Sequence, residues 1–529
     1  MQATAGSSGI VGYLKNNIVE SGKNPNRVMF GFISAWVMFA LILMIFPNPS
    51  FTDAAGNLHE LSDTGMAVLA IVVWASIMWV SEAMPVGITG ISVPTLLILT
   101  EVFGPKANVA HALAFQGFTK HVVWLCLFAF IIGAIMQLLK LDRRIALGIL
   151  DKIKASDVGR VIWGMFGVNI VLAFLIPAAN ARAATLLPVV QGITNLLGDS
   201  PREQEAKKAI IIQSLVYGTM ICGVFIMTAH LPNLIMIGIF DDNGYKGLGY
   251  LDWMLLQFPY LGMFVLTQWW VRYHFNTKGI KLAGGHESIQ KQHKELGKMT
   301  TPEWILIIVF ALVAAVFMMG KGSWIYELHR QKLGIIALAG LLLLFIPGLF
   351  KFKWQDIQNK TIWGTFLLLG GAITMTAAMK KSGLAGFLAE YIHGMVEGHS
   401  WWMIILILMV GTHIIRIGML SNVAAIAMLA PIVFAMAEPL NLHPVAFTLL
   451  VCDTDTYAYL LPTQITAAVI AYGSNTFSVA DYAKAGWACI LIAIAYGILI
   501  MAPWYAFLGI PVWEGAGAAG QLAAWPFNS

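Results

Sequence analysis

Charge is scarce in this chain. Asp, Glu, Lys and Arg make up 11% of its 529 residues, against about 25% in an ordinary soluble domain. So little charge excludes a soluble globule of this size. Cysteine is scarcer still. Cys126, Cys222, Cys452 and Cys489 are scattered through apolar segments, which excludes a disulfide framework and a structural zinc site. No Gly-x-x-x-x-Gly-Lys, no His-Glu-x-x-His and no Asp-rich metal loop is present. ATP hydrolysis by this chain and zinc-dependent intramembrane hydrolysis therefore have no support. The net charge of +5 is modest and gives no reason to invoke nucleic acid. Residues 1–27 lack the short apolar core and cleavage site of a signal peptide, so the first helix is expected to serve as an uncleaved insertion signal.

What the chain has instead is apolar length. Hydrophobic residues reach 58% and the mean hydropathy is +0.76. Apolar runs recur at 29–46, 65–80, 121–139, 305–319 and 401–410. A buried soluble core explains one such run, but not a series of them. The fold class is an all-α polytopic membrane protein with about 11 crossings.

Basic residues set the expected orientation. Lys15, Lys23 and Arg27 precede the first helix, whereas 48–64 carries Asp53, Glu60 and Asp63 and no Lys or Arg. The polar stretch 272–298 holds Lys278, Lys281, Lys291, Lys294 and Lys298. The positive-inside rule puts the N-terminus and this linker in the cytoplasm. The tail, with no basic residue from 509 on, is expected outside, in the plasma (inner) membrane of the cell.

The linker separates two similar halves. Trp124 precedes Met136 by twelve residues, as Trp363 precedes Met375, with Gly133-Ala134 and Gly371-Ala372 between. Each half then has a basic, Gly- and Leu-rich segment, Arg143 to Gly148 and Lys380 to Gly386. Each next has an apolar hairpin interrupted by small residues: Pro177-Ala-Ala-Asn180-Ala-Arg182 to Pro188, and Ser421-Asn422-Val423 to Pro431. A polar break at membrane depth must be satisfied by protein, water or ligand. Such breaks mark substrate and ion sites in duplicated transporters. The expected organisation is 1–64, cytoplasmic N-terminus, first helix and external loop; 65–272, first repeat; 273–301, cytoplasmic linker; 302–513, second repeat; 514–529, external tail. Whether the repeats are inverted depends on crossings per repeat, which the sequence alone does not count.

From about 65 to 509 the chain resembles the divalent anion:sodium symporter family, which carries dicarboxylates, citrate and sulfate. Glu82-Ala-Met-Pro-Val-Gly-Ile-Thr89 is similar to the family's Glu-Ala-x-Pro-x-Gly-x-Thr stretch. Ser421-Asn422-Val423 resembles its second Ser-Asn-Thr signature, nine residues from Asn422 to Pro431. Pro232-Asn233 resembles the end of its first Thr-Pro-Pro-Asn segment. The resemblance implies two inverted repeats, each with a re-entrant hairpin and a broken helix, an elevator motion and a homodimer. It also implies substrate contacts from Asn180, Arg182, Ser421, Asn422, Val423, His230, Asn233 and Thr466. Cation coupling would fall to Ser421, Asn422 and Gln464 by the resemblance, and to Asp453 and Asp455 as ionisable groups that the family pattern does not supply. The partners are a small anionic substrate, a coupling cation or counter-anion, and lipid; no cofactor is expected beyond a Na+ ion.

The departures bear on coupling. Ala178-Ala179-Asn180 stands at the first signature, His230-Leu231-Pro232-Asn233 at the first broken helix, and Ile465-Thr466-Ala467-Ala468 at the second. Oxygen-bearing side chains for the first sodium ion are thus lost, leaving backbone carbonyls to contribute, whereas the second site, near Ser421-Asn422 and the Gln464 backbone, is better preserved. Arg182 and Thr228-Ala229 resemble exchange-type members. Sodium symport is the family default; exchange and proton coupling are the alternatives. His413, Arg416, Asp453 and Asp455 add ionisable groups in apolar surroundings, where a charge is costly and usually functional. Arg416 with Asp453 or Asp455 as a structural ion pair is the bland reading. A membrane-embedded enzyme using Asp453, Asp455 and His413 is the rival from another class, and it lacks a nucleophile or metal set.

Overall fold

The structure is a computed structural model that describes residues 25–52, 56–176, 178–319, 333–396, 398–419, 421–513 and 525–527. Lys15, Lys23, Asp53 and most of the tail 514–529, all used to read orientation, lie outside the described residues. The chain is helical apart from one small hairpin in the first loop, β1 (Ser50–Thr52) and β2 (Leu58–Glu60).

The first half runs through α1 (Pro25–Met44), α2 (Asp63–Ser81), α3 (Val86–Leu99), α4 (Ala107–Ala114), α5 (His121–Leu139) and α6 (Leu141–Lys152). A hairpin follows, α7 (Val158–Leu175) and α8 (Ala179–Thr194). Then come α9 (Pro201–Phe225), α10 (Leu231–Asp242), α11 (Tyr250–Gln257) and α12 (Tyr260–His274). The linker holds α13 (Gly285–Glu295). The second half repeats the plan: α14 (Thr301–Met318), α15 (Leu333–Leu344), α16 (Trp354–Lys360), α17 (Trp363–Lys381) and α18 (Leu384–Val396). Its hairpin is α19 (Trp401–Arg416) and α20 (Asn422–Met436), its broken helix α21 (Pro444–Asp455) and α22 (Thr466–Tyr472), and its last helix α23 (Val479–Phe507).

Seven described helices are long and apolar enough to cross a bilayer, or nine if each bent pair is one span. The expected total of about 11 exceeds this count, and the shorter apolar helices α3, α15 and α20 lie outside it. In its apolar window α9 is 94% buried and α1 only 22%. The broken helix is therefore central, and α1 lies at the lipid-facing edge.

Contacts between the halves show that they are inverted. Gly117, just before α5, packs on Gly370 and Thr374, while Trp124, further along α5, packs on Phe366. As the number rises on α5 it falls on α17, so these equivalent helices run antiparallel. Glycine makes the contact between halves close. A Cβ at Gly371 would lie 2.0 Å from the Gly90 carbonyl, and one at Gly87 2.6 Å from Gly364 Cα. Membrane helices gain their packing from such close approach, because lipid offers no hydrophobic drive between them. Gly90 and Gly371 are thus helix contacts, as their setting in apolar runs suggests.

Local signals explain where the hairpins start and stop. Asp157 caps α7 by accepting from the Arg160 amide, and Ser421 caps α20 by accepting from the Ala424 amide. Pro188 and Pro431 sit at corresponding places inside α8 and α20. The linker is docked. Asp151 at the end of α6 holds His286 Nε2 at 2.6 Å and His293 Nδ1 at 2.8 Å. The hydrogen bond with His293, then that with His286, holds the Asp151 carboxyl below the usual carboxylate range. Arg144 adds bonds to Glu303 and to the Leu296 and Gly297 carbonyls.

Candidate functional site

A helix that stops inside a membrane leaves carbonyls without partners. Both halves solve this with an arginine. Arg182, in the first turn of α8, is fully buried. Its Nη1 donates to the Ile176 carbonyl at 2.7 Å and the Ala229 carbonyl at 2.8 Å; its Nη2 donates to the Thr219 carbonyl at 2.8 Å. One guanidinium thus joins the first hairpin tip, the first helix break and α9. A planar fork of donors suits several fixed oxygens at once.

The second half does the same from the other arm of its hairpin. Arg416, the last residue of α19, is also fully buried. Its Nη2 donates to the Gln464 carbonyl at 2.7 Å and to Asn422 Oδ1, and its Nη1 lies 3.5 Å from the Met419 carbonyl. Its Nε is 3.5 Å from Asp455 Oδ2. Gln464 returns the contact through Nε2 to the Arg416 carbonyl at 3.0 Å, and its Oε1 accepts from the Leu460 and Leu461 amides. Asn422 Nδ2 reaches the Thr456 carbonyl at 3.3 Å.

The remaining residues singled out from the sequence fall into two groups. Asn180, Ser421 and Val423 are half-buried at the hairpin tips, and Thr466 is exposed in the first turn of α22. These have surface to offer a ligand. His230 is buried beside Arg182 and interacts electrostatically with both Arg182 and Arg416, which places it between the two halves. Asn233 turns inward. Its amide donates to the Gly223 and Ile226 carbonyls at 2.9 and 3.1 Å, closing the end of α9. His413 Nδ1 donates to the Met409 carbonyl one turn back. Of the two aspartates, Asp455 pairs with Arg416. Asp453 instead accepts from Gln257 Nε2 at 2.7 Å. Gln257 and its partner Tyr505 were not among the sequence candidates; the available signal was a lone amide in an apolar segment.

The backbone carbonyls of Ile176 and Ala229 in one half and of Gln464 in the other accept from a guanidinium. A cation placed there would meet a fixed positive charge within bonding distance.

Away from the tips, a cavity of about 960 Å³ opens between α10, α17, α18 and α20. Asp242, Lys380, Glu390, Phe434 and Glu438 are among its walls. Phe434 lies twelve residues beyond Asn422 on α20, so the tip is roughly 18 Å deeper along that helix. Two ion pairs and a hydrogen bond line the rim. Lys120 pairs with Asp242, His121 Nε2 is 3.6 Å from Asp241, and Lys380 Nζ is 2.6 Å from Asn243 Oδ1.

Comparison with known proteins now decides the family. The family described as "Sodium:sulfate symporter transmembrane region" matches residues 30–511. The chain belongs to the sodium:sulfate symporter family. Similar proteins include a membrane protein of Cupriavidus necator, 27% identical over 90% of this chain and 93% of that one. The sodium-dependent dicarboxylate transporter SdcS of Staphylococcus saprophyticus is 25% identical over 89% of this chain and 90% of its own. In fold, the chain is similar to MtrF of Neisseria gonorrhoeae, with a TM-score of 0.56 at 12% identity over 96% of this chain and 99% of that one. It is also similar to the YdaH transporter of Alcanivorax borkumensis, with a TM-score of 0.50 at 12% identity, covering 92% and 98%. As a sodium:sulfate symporter family member it is an integral membrane secondary transporter and not an enzyme. The acid–base reading of Asp453, Asp455 and His413 falls with that.

Proposed function

We propose that this protein moves small dianions across the plasma membrane, di- and tricarboxylates before sulfate, without sodium. The observation that carries the coupling half of this reading is the pair of buried arginines. Each joins a hairpin tip to a helix break, from opposite arms of the two hairpins, by bonding backbone carbonyls where the helices stop. Fixed guanidinium charge then attracts the dianion and holds the tips together. The carboxylate preference is supported by relatives named as sodium-dependent dicarboxylate transporters. Helix N-termini at α8, α10, α20 and α22, carrying partial positive charge and free N–H groups, suit a carboxylate. Asn180, Ser421 and Thr466 supply hydrogen bonds from the accessible side. The hairpins and broken helices form the moving body, and the first helices of each half the scaffold, in a homodimer with the linker in the cytoplasm.

The test is uptake of labelled succinate, citrate and sulfate by proteoliposomes, with sodium replaced by choline. Uptake of a dianion at the same rate in both salts is the expected outcome. Steep, cooperative activation by sodium would overturn the sodium-free reading, and no uptake or counterflow of any of the three would overturn the substrate class.

A further inference from the structure

We propose that Asp453 is the proton-carrying group of this transporter, served by a file of buried tyrosines that leads to it from the linker face. The proposal rests on the transporter reading and names its coupling ion.

Asp453 and Asp455 lie two residues apart near the end of α21, so they point to different sides of the helix. Asp455 faces Arg416, and their charges balance. Asp453 has no such partner. It is fully buried, and its Oδ2 accepts one bond from the neutral amide of Gln257, which in turn accepts from the Tyr505 hydroxyl at 3.2 Å. Its Oδ1 has no partner among the described residues. The groups that face it from neighbouring elements are neutral or already paired. Gln257 on α11, Tyr260 on α12 and Tyr505 on α23 are uncharged, as is Cys452 beside it. Arg416 and His413 on α19 are committed to Asp455 and to the Met409 carbonyl. The helix α20 carries no titratable side chain, and those of α10 sit at its far end. A carboxylate in a dry interior with one neutral donor is far costlier than the neutral acid. Asp453 therefore holds a proton in this conformation. It releases the proton when motion of the hairpin body brings water to it.

A row of buried tyrosines runs from the neighbourhood of Asp453 toward the linker face. The rings of Tyr260 and Tyr457 lie 5.9 Å apart, Tyr457 and Tyr459 6.0 Å, Tyr459 and Tyr217 4.2 Å, and Tyr217 and Tyr482 6.4 Å. All five are fully buried, and the hydroxyls of Tyr457, Tyr459 and Tyr482 have no partner among the described residues. Buried hydroxyls left unpaired call for an explanation. These hydroxyls are not bonded to one another in this conformation; each both donates and accepts, so the file passes a proton once water enters between them. Tyr482 adjoins Asp481, which pairs with Lys208 at 3.2 Å. That end of α23 lies against the last turns of α12, where Trp270 donates to the Ala485 carbonyl just before the chain enters the linker. One proton enters from the linker face or leaves to it, and the Asp453 carboxyl changes between acid and carboxylate once per cycle.

The experiment uses the full-length protein in proteoliposomes, with membrane potential clamped by potassium and valinomycin. Succinate, citrate and sulfate are the probes. Wild type is expected to accumulate its anion about tenfold for a gradient of about one pH unit per coupled proton. Asp453→Asn, which mimics the protonated acid, is expected to retain counterflow and lose that accumulation. Tyr457→Phe/Tyr459→Phe, which removes only hydroxyls, is expected to slow it. Counterflow in wild type with no response to the pH gradient overturns the proposal, as does full gradient-driven accumulation in Asp453→Asn. If Asp453→Asn does not insert, the tyrosine double variant decides: unslowed coupling there overturns the proposal. Absence of counterflow for all three anions in wild type overturns the transporter reading instead, so the two failures are told apart.

Discussion

At the scale of single residues, the two arginines hold the structure's main departure from the family pattern. Arg182 gives three bonds to backbone carbonyls, those of Ile176 and Ala229 lying where helices stop. Leaving a buried acceptor unsatisfied costs ~1–3 kcal/mol. Arg182→Ala should therefore lower stability by about 3 kcal/mol or more, seen as a clear drop in the unfolding midpoint in detergent. Arg182→Lys keeps the charge but offers a point ammonium instead of a fork. It should recover less than half of the loss; an unfolding midpoint equal to wild type in either variant would show that the carbonyls do not depend on the guanidinium. The sequence made Arg182 visible as a charge in an apolar hairpin. It did not show that the side chain turns to backbone carbonyls, because that direction depends on where α9 and the helix break pass. Arg416 was harder to read. It stands six residues before Asn422, whereas Arg182 stands two after Asn180, so the shared role is hidden by its placement on opposite arms.

At the scale of elements, the rim of the cavity joins parts that must separate if the hairpin body slides. The end of α10 belongs to the broken helix; Lys120, His121 and Lys380 belong to α5, α17 and the turn before α5. Lys120–Asp242, His121–Asp241 and Lys380–Asn243 therefore act as a latch that favours this conformation. Each part-exposed pair is worth ~0.2–1 kcal/mol. The two ion pairs together shift a two-state balance by about twofold to thirtyfold. Asp242→Lys should open the latch and change alkylation of a cysteine placed at Thr376 in the cavity wall. Adding Lys120→Asp should restore the original rate, because the pair is then re-formed with its signs exchanged. Failure of the swap to restore labelling would mean that the contact is incidental. Hairpins and broken helices were legible in the sequence, since small residues and prolines interrupt apolar runs there. The turns of π-helix at Ile212–Tyr217 and Gly497–Met501 and the small β-hairpin were not, because no composition marks them.

At the scale of the whole molecule, the two faces differ in charge. The sequence showed two similar halves but not their relative direction; antiparallel packing of α5 on α17 supplies it. Inverted halves put the linker on one face and the cavity with its Asp242, Glu390 and Glu438 on the other. The linker face carries Lys278, Lys281, Lys291, Lys294 and Lys298 beside Arg144 and Lys208, and positive charge is retained on the cytoplasmic side during insertion. The linker is also tied to hairpin-bearing elements, through the Leu282 amide to the Ser156 carbonyl and the Ala283 amide to the Leu196 carbonyl. It cannot cross the bilayer independently of them. A single cysteine at Gly284 should thus react with a membrane-impermeant maleimide only when the cytoplasmic face is opened. One at Glu438, on the cavity rim, should react in intact cells. Both replacements are at described, accessible positions, and neither touches the arginines or Asp453, so transport can be measured on the same samples. Labelling of both from one side would break the inverted arrangement. Exchange of the two sides would keep it and reverse the orientation, with the proton file then opening to the outside.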